Sequence, residues 1–519
     1  MRRKRWIPVL VVAVVLGMFS SGARAQEEAK GWEVRFHGFV ESNMTLRDQN
    51  GIQNGFMDHL DVIQQRNTLK FDVDIDPKLS WDSFSVAKIH LTYRGAYDSI
   101  FDLRKGAYGD IDNKGGPSRF DYGKRDIKYE NDLREASVDL TYQGVLGTAF
   151  FRPGRQLVSW GETTGMVLLD VICPLDQSFN MFFQNPDDLM IPLWMGRLNY
   201  SIPRQPAFGL NFDLIFIPDI RPTQFGPLDA TMAAPYVTIT PFAGLAPFAQ
   251  LNGVRQDVPT DRREYGIKVG AEIGERLSIS LVYFRDVVND PAINLDKFMN
   301  IPVAGFIPTR ALLTHGMQHV YGGYFSYQFV PLDIIIRGEF SRYTSYPVTL
   351  PSGAPDVVIG AGGLELRTYR LKPVTQWMVA IDKNVWLRFL FPHQQTNLGV
   401  QWIHQKTNSW DGILSGSPLV GKGIAKDKDF FSFQLNSYWW SGRLNPVLFL
   451  LYSPEGDGKG GGTWMVQPSM TWTLSPHWYT KLTAQVFLGD KDSKSALSTF
   501  GFPELIKTSE VTLKVGYQW

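Results

Sequence analysis

Hydrophobic and polar residues alternate one by one along many segments of the chain. In the last nine residues, VTLKVGYQW, five apolar side chains alternate with Thr, Lys, Gly and Gln: Val511, Leu513, Val515, Tyr517 and Trp519. A period of two over about nine residues is typical of one strand that crosses a membrane as part of a β-barrel. We predict that this strand closes such a barrel against its first strand, with the apolar side chains facing lipid.

The same alternation recurs along the rest of the chain. It predicts a first strand over residues 32–46, a second over residues 69–76 and a third over residues 87–94, each with charges mostly on one face. Counted to the end, the segments give about eighteen strands, with sixteen as the alternative, and bacterial single-chain barrels have even numbers of strands. The segment from Lys383 to Gln405 fits the pattern least well, because a short helix would also explain part of it.

The connections between the predicted strands alternate in length. Short ones, such as residues 77–81, 143–147 and 274–276, alternate with long ones, such as residues 96–130 and 219–262. A soluble β-sandwich explains the alternation within any single strand equally well, but it gives no reason for this sorting of connections. Outer-membrane barrels have short periplasmic turns and long extracellular loops. The sequence therefore predicts an all-β, transmembrane, antiparallel up-and-down barrel.

One long connection is too apolar for a loop in water. It contains the run MVLLDVIC at residues 166–173, and an exposed run of this kind is unfavourable. We predict that residues 161–190 fold into the lumen as a plug or constriction. Candidate lumen and constriction residues lie in or near this segment and in the early strands: Arg152, Arg155, Trp160, Asp170, Asp176, Arg197, Lys70, Asp72, Lys88 and Arg94. The charged ones either tune selectivity or pair with one another to hold the loop, two alternatives of equal weight.

The composition narrows the class of protein. Aromatic residues make up 13% of the chain, with 15 Trp and 20 Tyr, which fits the aromatic girdles of a membrane barrel. The net charge of +1 lacks the basic excess expected of a nucleic-acid-binding protein. The single cysteine, Cys173, excludes an internal disulfide. We recognise no metal-ligand spacing, cofactor motif or catalytic motif, and we expect no enzymatic activity.

The two ends of the chain carry export signals. Residues 2–5 are basic, residues 6–19 are mostly apolar, and Ala-Arg-Ala at residues 23–25 provides small residues for cleavage. This pattern predicts a signal peptide at residues 1–25 and a barrel domain at residues 26–519, located in the outer membrane. The C-terminal strand resembles the signal read by the bacterial barrel-assembly machinery, although the usual last residue is Phe rather than Trp519.

The segment from Glu135 to Tyr200 resembles a known family. It contains GRQ, WG, DVI, PLD, IPLWM and RLNY in this order, and RNTL precedes it at residues 66–69. This pattern resembles the bacterial outer-membrane β-barrel family DUF1302, a porin-like family of unknown function. The resemblance implies a barrel exported by Gram-negative bacteria. It also implies a hydrophobic or lipid-like cargo, because genes of the family accompany inner-membrane pumps of the resistance-nodulation type and a periplasmic protein similar to lipid carriers.

Three functions remain open from the sequence. The first is a channel in outer-membrane lipid for passive passage of a small hydrophobic or lipid-like molecule, with the pump and the periplasmic carrier as partners. The second is an adhesin or structural barrel whose long loops carry the function. The third is a membrane-embedded hydrolase, for which His393, His404 and Ser409 would have to converge, although no motif groups them.

Overall fold

The computed structural model covers the predicted strands and several of their connections. It describes residues 32–48, 60–103, 128–177, 189–205, 208–219, 221–225, 254–257, 263–289, 292–301, 305–350, 355–360, 363–388, 394–417, 421–422, 425–454, 462–489 and 509–519. The predicted signal peptide, residues 1–25, and residues 178–188 of the predicted constriction lie outside the described residues.

Eighteen long strands form one continuous sheet. In chain order they are β1 (Glu33–Asp48), β2 (Leu60–Asp76), β3 (Phe84–Asp98), β4 (Tyr129–Gly144), β5 (Gly147–Gln156), β6 (Leu193–Gln205), β7 (Phe208–Ile217), β8 (Glu264–Ile273), β9 (Leu277–Val287), β10 (Met317–Phe329), β11 (Ile334–Thr349), β12 (Tyr369–Val385), β13 (Thr396–Thr407), β14 (Asp427–Asn436), β15 (Leu444–Ser453), β16 (Thr463–Thr473), β17 (Trp478–Leu488) and β18 (Glu510–Gln518).

The sheet closes on itself. Each strand pairs antiparallel with the next, and β18 pairs antiparallel with β1. At this seam Leu513 lies opposite Met44, and Val515 lies opposite Ser42. A nineteenth, short strand, Leu79–Trp81, pairs only with the start of β3. The prediction of an eighteen-strand antiparallel barrel is confirmed, and the alternative of sixteen strands is wrong.

The outward face of the barrel is apolar. On β12, Val379 and Ile381 are 44% and 46% exposed, whereas Met378 and Ala380, which alternate with them, face the interior and are buried. Large aromatic side chains near the strand ends are exposed as well: Trp81, Trp386, Trp440, Trp464 and Trp478. An apolar outer surface with tryptophans near both rims is what a barrel presents to a lipid bilayer. The barrel therefore spans a membrane.

The short connections lie at one end of the barrel. Val145 and Leu146 alone join β4 to β5, and residues 274–276 join β8 to β9. Gly274 in the second turn has φ of 59°, a left-handed conformation that glycine adopts without strain. The longer connections lie at the opposite end. This layout corresponds to periplasmic turns at the first end and extracellular loops at the second.

The long connections contain secondary structure of their own. Five short strands form a second sheet, in the order Val254–Asp257, Gly305–Thr314, Ala292–Ile301, Gly363–Arg367 and Asp356–Gly360. Two small sheets pair Asp176–Gln177 with Gln224–Phe225, and Gly416–Ser417 with Gly421–Lys422. Helical elements in the described ranges include the α-helix Ile100–Leu103 and the 3-10 turns Val330–Leu332 and Gly412–Ser415. The described part of the segment from Lys383 to Gln405 is mostly strand, and the short helix that would also have explained it is absent from those residues.

Candidate functional site

The chain turns into the barrel after β5. Residues 157–177, here named the lumen loop, contact inward-facing residues of strands β6 to β13. Trp160 and Leu169 of the loop are both 1% exposed and pack with Ile215 of β7, Phe284 of β9 and Val320 of β10. The lumen loop therefore lies across the interior of the barrel instead of projecting from its rim.

One carboxylate holds the lumen loop on β11. Glu339 Oε2 accepts the backbone N–H groups of Glu162 at 2.6 Å and Thr163 at 3.0 Å, and Oε1 accepts the N–H of Leu169 at 2.9 Å. Gly161 lies beside this carboxylate with φ of 141°, and an added Cβ would be 3.2 Å from Oε2. The arrangement satisfies one buried and two half-buried backbone donors of the loop.

Two further side chains fix the middle of the loop. The amide of Gln401, on β13, accepts the N–H of Thr164 at 3.1 Å and donates to the carbonyl oxygen of the same residue at 3.0 Å. The hydroxyl of Tyr343, on β11, donates to the carbonyl oxygen of Leu168. Because both contacts are made to the loop backbone, they fix its path whatever side chains the loop carries.

Asp213 on β7 positions Trp160. The carboxylate is fully buried, accepts the indole N–H of Trp160 at 3.2 Å, and pairs with Arg197 at 2.7 Å and Lys268 at 3.5 Å. The Lys268 ammonium also lies 5.6 Å from the centre of the Trp160 ring. An added Cβ at Gly266 would lie 3.0 Å from that ring, so the ring needs a glycine there. A buried carboxylate is tolerated in this place because two cations surround it.

Asp170 connects two parts of the lumen loop. Its carboxylate accepts the Ser159 hydroxyl at 2.6 Å and the Trp160 N–H at 3.2 Å. Burial raises the pKa of Asp170 to about 6, outweighing the two hydrogen bonds, which lower it. Burial also raises the pKa of the Cys173 thiol to about 12. The thiol is therefore protonated at neutral pH and not nucleophilic.

Six successive strands carry apolar side chains on their inward face. We name this surface the apolar wall, and its members are Met378, Ala380, Ile403, Phe430, Phe449, Leu451, Met465 and Phe487. Leu168 of the lumen loop is buried against it, and Met166 packs beside Leu168. The wall lies toward the extracellular half of the barrel, since most of its members are near the long connections. The interior of a wide membrane barrel is ordinarily polar, so this surface is a departure from the usual pattern.

Charged side chains on the inward face lie in pairs. Arg66 and Arg94 both bind Glu130, at 2.5 and 2.6 Å. Further pairs at 2.5–2.8 Å are Arg47–Glu510, Lys88–Asp74, Arg152–Asp139, Arg155–Asp132, Arg337–Asp382 and Lys514–Glu41. Because opposite charges neutralise each other locally, this part of the interior presents little net charge to a solute.

The structure places the predicted lumen candidates in three groups. Trp160 and Arg197 meet at Asp213. Asp170 and Asp176 belong to the lumen loop, where Asp170 is half-buried and Asp176 is buried. The other six lie on inward faces of the strands, each with a charged neighbour within 4.0 Å: Lys70, Asp72, Lys88, Arg94, Arg152 and Arg155.

Sequence reasoning missed the residues that hold the loop, Asp213, Glu339 and Gln401. A signal for two of them exists. Asp213 is the only charged residue of the strand FGLNFDLIFI, and Glu339 is the only acid in IIIRGEF. A lone carboxylate at an inward position of an apolar strand has to find a partner inside the barrel.

Within the described ranges, no helix is long and apolar enough to cross a membrane. Among the same residues, no group of three or more His, Cys, Asp or Glu side chains is arranged to hold a metal ion.

Comparisons with known proteins identify a family. The model described as "Protein of unknown function (DUF1302)" matches residues 6–519. No curated protein matches the chain. Among solved structures, Acinetobacter baumannii OccAB1 is similar, with 10% identity, a TM-score of 0.45 and coverage of 95% of this chain and 99% of that chain. Pseudomonas aeruginosa OpdK with vanillate has 8% identity and a TM-score of 0.42, covering 94% of this chain and 98% of that chain.

Proposed function

The chain belongs to the DUF1302 family of proteins of unknown function, and we propose that it is a passive channel of the bacterial outer membrane for a small, uncharged, hydrophobic or lipid-like molecule. The observation that carries this proposal is the lumen loop, held across a closed barrel by Glu339, Gln401 and Asp213. Loops that fold inward narrow or plug the passage in membrane barrels. A barrel that only displays extracellular loops has no use for a segment bound inside it.

The surface of the barrel supports an outer-membrane location. Leu281 on β9 is 65% exposed on the outward face, and Val400 on β13 is 55% exposed. Such residues would be unfavourable in water but are favourable against lipid. Closed barrels with short turns at one end and long loops at the other are the architecture of bacterial outer-membrane proteins.

The interior supports an uncharged cargo. An ionised solute that entered would have to pass ion pairs such as Arg66–Glu130, which are already complete, and breaking a buried pair costs about 3–5 kcal/mol. An uncharged solute meets no such barrier, because it does not compete for either partner of these pairs. We therefore place uncharged molecules ahead of anions and cations as cargo.

We further propose that a periplasmic carrier, and through it an inner-membrane pump, works with this channel. Support comes from family membership and from two side chains at the periplasmic rim, Val145 and Leu146, which are 101% and 78% exposed. A photo-crosslinking residue at Val145 should capture a periplasmic protein in intact cells, whereas the same residue at the lipid-facing Leu281 should not. Adducts of equal yield at both positions would count against a partner at this rim.

Planar-bilayer recording tests the channel directly. The purified, folded protein should produce discrete ionic current steps, and liposomes containing it should swell in uncharged solutes faster than in carboxylates of the same size. Protein unfolded by boiling is the control. A folded barrel that never produces current steps, with or without residues 161–190, contradicts the proposal.

One observation favours a second candidate, an adhesive barrel. The extracellular strand Asp356–Gly360 lies at the edge of the loop sheet, with Val357 66% and Ile359 86% exposed. Exposed apolar edge strands are prone to pair with other chains. Under this reading, Val357→Lys with Ile359→Lys should abolish cell adhesion and leave the ionic current unchanged. Adhesion is measured with intact cells that carry equal amounts of the wild-type barrel or of the double variant.

A further inference from the structure

We propose that the outward face of the barrel binds a lipid of the outer leaflet through the phosphate groups of its headgroup. The site lies near the extracellular ends of strands β8 to β11. We name it the basic band, and its members are Tyr265, Tyr283, Arg285, His319, Tyr321 and Arg342. It is on the other face of the sheet from the lumen loop, so the inference goes beyond the passage of a cargo and uses only the outer-membrane location.

The register of the strands brings these side chains together in two adjacent rows. In the first row, Arg285 lies opposite Tyr265 of β8 and opposite His319 of β10. In the second row, Tyr321 of β10 lies opposite Arg342 of β11. Residues directly opposite each other in an antiparallel pair have Cβ atoms about 4.5–5.5 Å apart. The basic band is therefore continuous across four strands.

The basic band points away from the lumen. Tyr265 and Tyr321 are 43% and 48% exposed, and Arg342 is exposed as well. Val320 and Ser341, which come directly before Tyr321 and Arg342 in the chain, are fully buried on the inward face. Membrane barrels carry tyrosine at the boundary between lipid and water. The band therefore lies at the depth of the lipid headgroups.

The charge on this outward face has one sign. Arg285 and Arg342 are the charged side chains that β8 to β11 direct outward, whereas three acids of these strands are buried on the inward face: Glu264, Asp286 and Glu339. Arg342 forms no ion pair with any residue that the structure describes. A phosphate group at the band is therefore attracted by both arginines and meets no carboxylate on the outward face of these strands.

The outward face of β13 and β14 provides a contrast. His404 binds Asp429 at 2.9 Å and lies 3.5 Å from Asp427, and the Trp402 indole donates to Asp429 at 2.8 Å. Carboxylates dominate this part of the extracellular rim and would repel a phosphate group. The site is therefore specific to strands β8 to β11 and is not a general property of the rim.

Neighbouring groups hold the basic side chains in place. The Arg285 guanidinium lies 5.9 Å from the centre of the Tyr265 ring and donates to the carbonyl oxygen of Arg263. The Tyr283 hydroxyl is 3.0 Å from His319 Nδ1, and the two rings stack. Side chains that are already ordered lose less conformational entropy when a ligand binds. Arginine also suits phosphate in particular, because its planar fork donates two parallel hydrogen bonds.

The surface beside the basic band fits the acyl chains of a lipid. Leu281 and Phe340 are 65% and 46% exposed, and each lies two residues from the band toward the periplasm, next to Tyr283 and Arg342 respectively. Apolar chains gain free energy by covering such side chains. The ligand is therefore a phosphorylated membrane lipid and not free phosphate.

Lipid binding to the purified barrel tests the site. The probe is lipid A that carries two phosphates, added to the folded protein in a neutral detergent, and bound lipid is counted by native mass spectrometry. Arg285→Gln and Arg342→Gln should each weaken binding about tenfold. Arg276→Gln is the matched control, because Arg276 is exposed in the periplasmic turn of the hairpin that carries Arg285. Equal affinities of the wild type and all three variants would overturn the proposal.

Arginine footprinting tests the site without a substitution, and it decides the matter if a variant fails to fold. Phenylglyoxal modifies accessible guanidinium groups, and the modified residues are mapped by mass spectrometry. Lipid A should slow the modification of Arg285 and Arg342 at least threefold and leave that of Arg276 unchanged. Absence of this protection would refute the proposal.

Two further probes separate the phosphate from the lipid. Lipid A stripped of its phosphates should protect neither Arg285 nor Arg342, and inorganic phosphate at the same concentration should protect neither. Equal protection by the stripped lipid would show that the apolar surface alone binds it. Equal protection by inorganic phosphate would show that no lipid is needed. Either result refutes the proposal, and neither depends on whether the barrel conducts ions.

Discussion

Glu339 of β11 accepts the backbone N–H of Leu169 at 2.9 Å, although the two residues are 170 positions apart in the sequence. The same carboxylate binds the N–H groups of Glu162 and Thr163. One side chain therefore joins both arms of the lumen loop to the barrel wall, and its removal should free the loop more than loss of any single loop side chain.

We predict that Glu339→Gln increases the time that the channel spends open. Glutamine retains one neutral acceptor oxygen in place of two charged ones. Hydrogen bonds to a charged group contribute about 1.5–3 kcal/mol each, twice the value for neutral partners, so the population with a released loop should rise about tenfold or more. Single-channel recording measures this open fraction. Glu275→Gln, in an exposed turn, should leave the open fraction unchanged. An effect of equal size at Glu275 would contradict the role of Glu339 in holding the lumen loop.

Asp213 should matter more for stability than Trp160. Asp213→Asn leaves Arg197 and Lys268 without their carboxylate, and an uncompensated buried charge costs about 3–5 kcal/mol. Trp160→Phe removes one hydrogen bond to the carboxylate but keeps an aromatic ring, at a cost nearer to 1–3 kcal/mol. The midpoint of heat-induced unfolding, followed by gel mobility, should fall further for Asp213→Asn. Equal midpoints in the two variants would show that Asp213 is not the centre of this cluster.

The channel should open more readily as the pH rises. Burial in the packed loop raises the pKa of Asp170 from 3.8 to about 6, so protonation favours packing. This stabilisation is complete below the ordinary pKa and is lost as the pH rises through about 6. The open fraction should therefore increase between pH 5 and pH 7.

Asp170→Asn separates this effect from other titrations. Asparagine does not titrate, so the variant should have the low open fraction at both pH values. Burial also raises the pKa of Glu162, and this group accounts for any smaller pH dependence of the open fraction that remains in the variant. A variant with the full wild-type pH profile would show that Asp170 is not the group responsible.

The strands and their number could be predicted from the sequence because alternation is a local property. Successive side chains of a strand point to opposite faces of the sheet, so Val511, Leu513 and Val515, which alternate with polar residues, all lie on the lipid-facing side of the closed barrel. The inward apolar wall could not be predicted this way. On β12 the inward Met378 and Ala380 interrupt no apolar pattern, because the outward Val379 and Ile381 are apolar too. A continuous apolar run does not reveal which of its two faces is unusual.

The contacts of the lumen loop were also beyond sequence reasoning. The loop itself was recognisable from its apolar run, but its partners Glu339 and Gln401 lie 170 and 237 residues away. Only the register of strands β11 and β13 brings them to the same level of the lumen. The charges predicted either to tune selectivity or to pair with one another include Arg152 and Arg155, which the structure pairs with Asp139 and Asp132. Pairing depends on which strands are neighbours and on their register, and alternation alone does not fix the register.

The seam of the barrel offers a test of its closure. Arg47 on β1 pairs with Glu510 on β18 at 2.7 Å, and both side chains are nearly buried. Glu510→Leu alone should lower the midpoint of heat-induced unfolding strongly, because removing one partner of a buried pair costs about 3–5 kcal/mol. Arg47→Met in the same chain should restore most of the loss, since apolar residues of similar volume replace such pairs at little cost. If the double variant is no more stable than Glu510→Leu, the two residues are not paired at the seam.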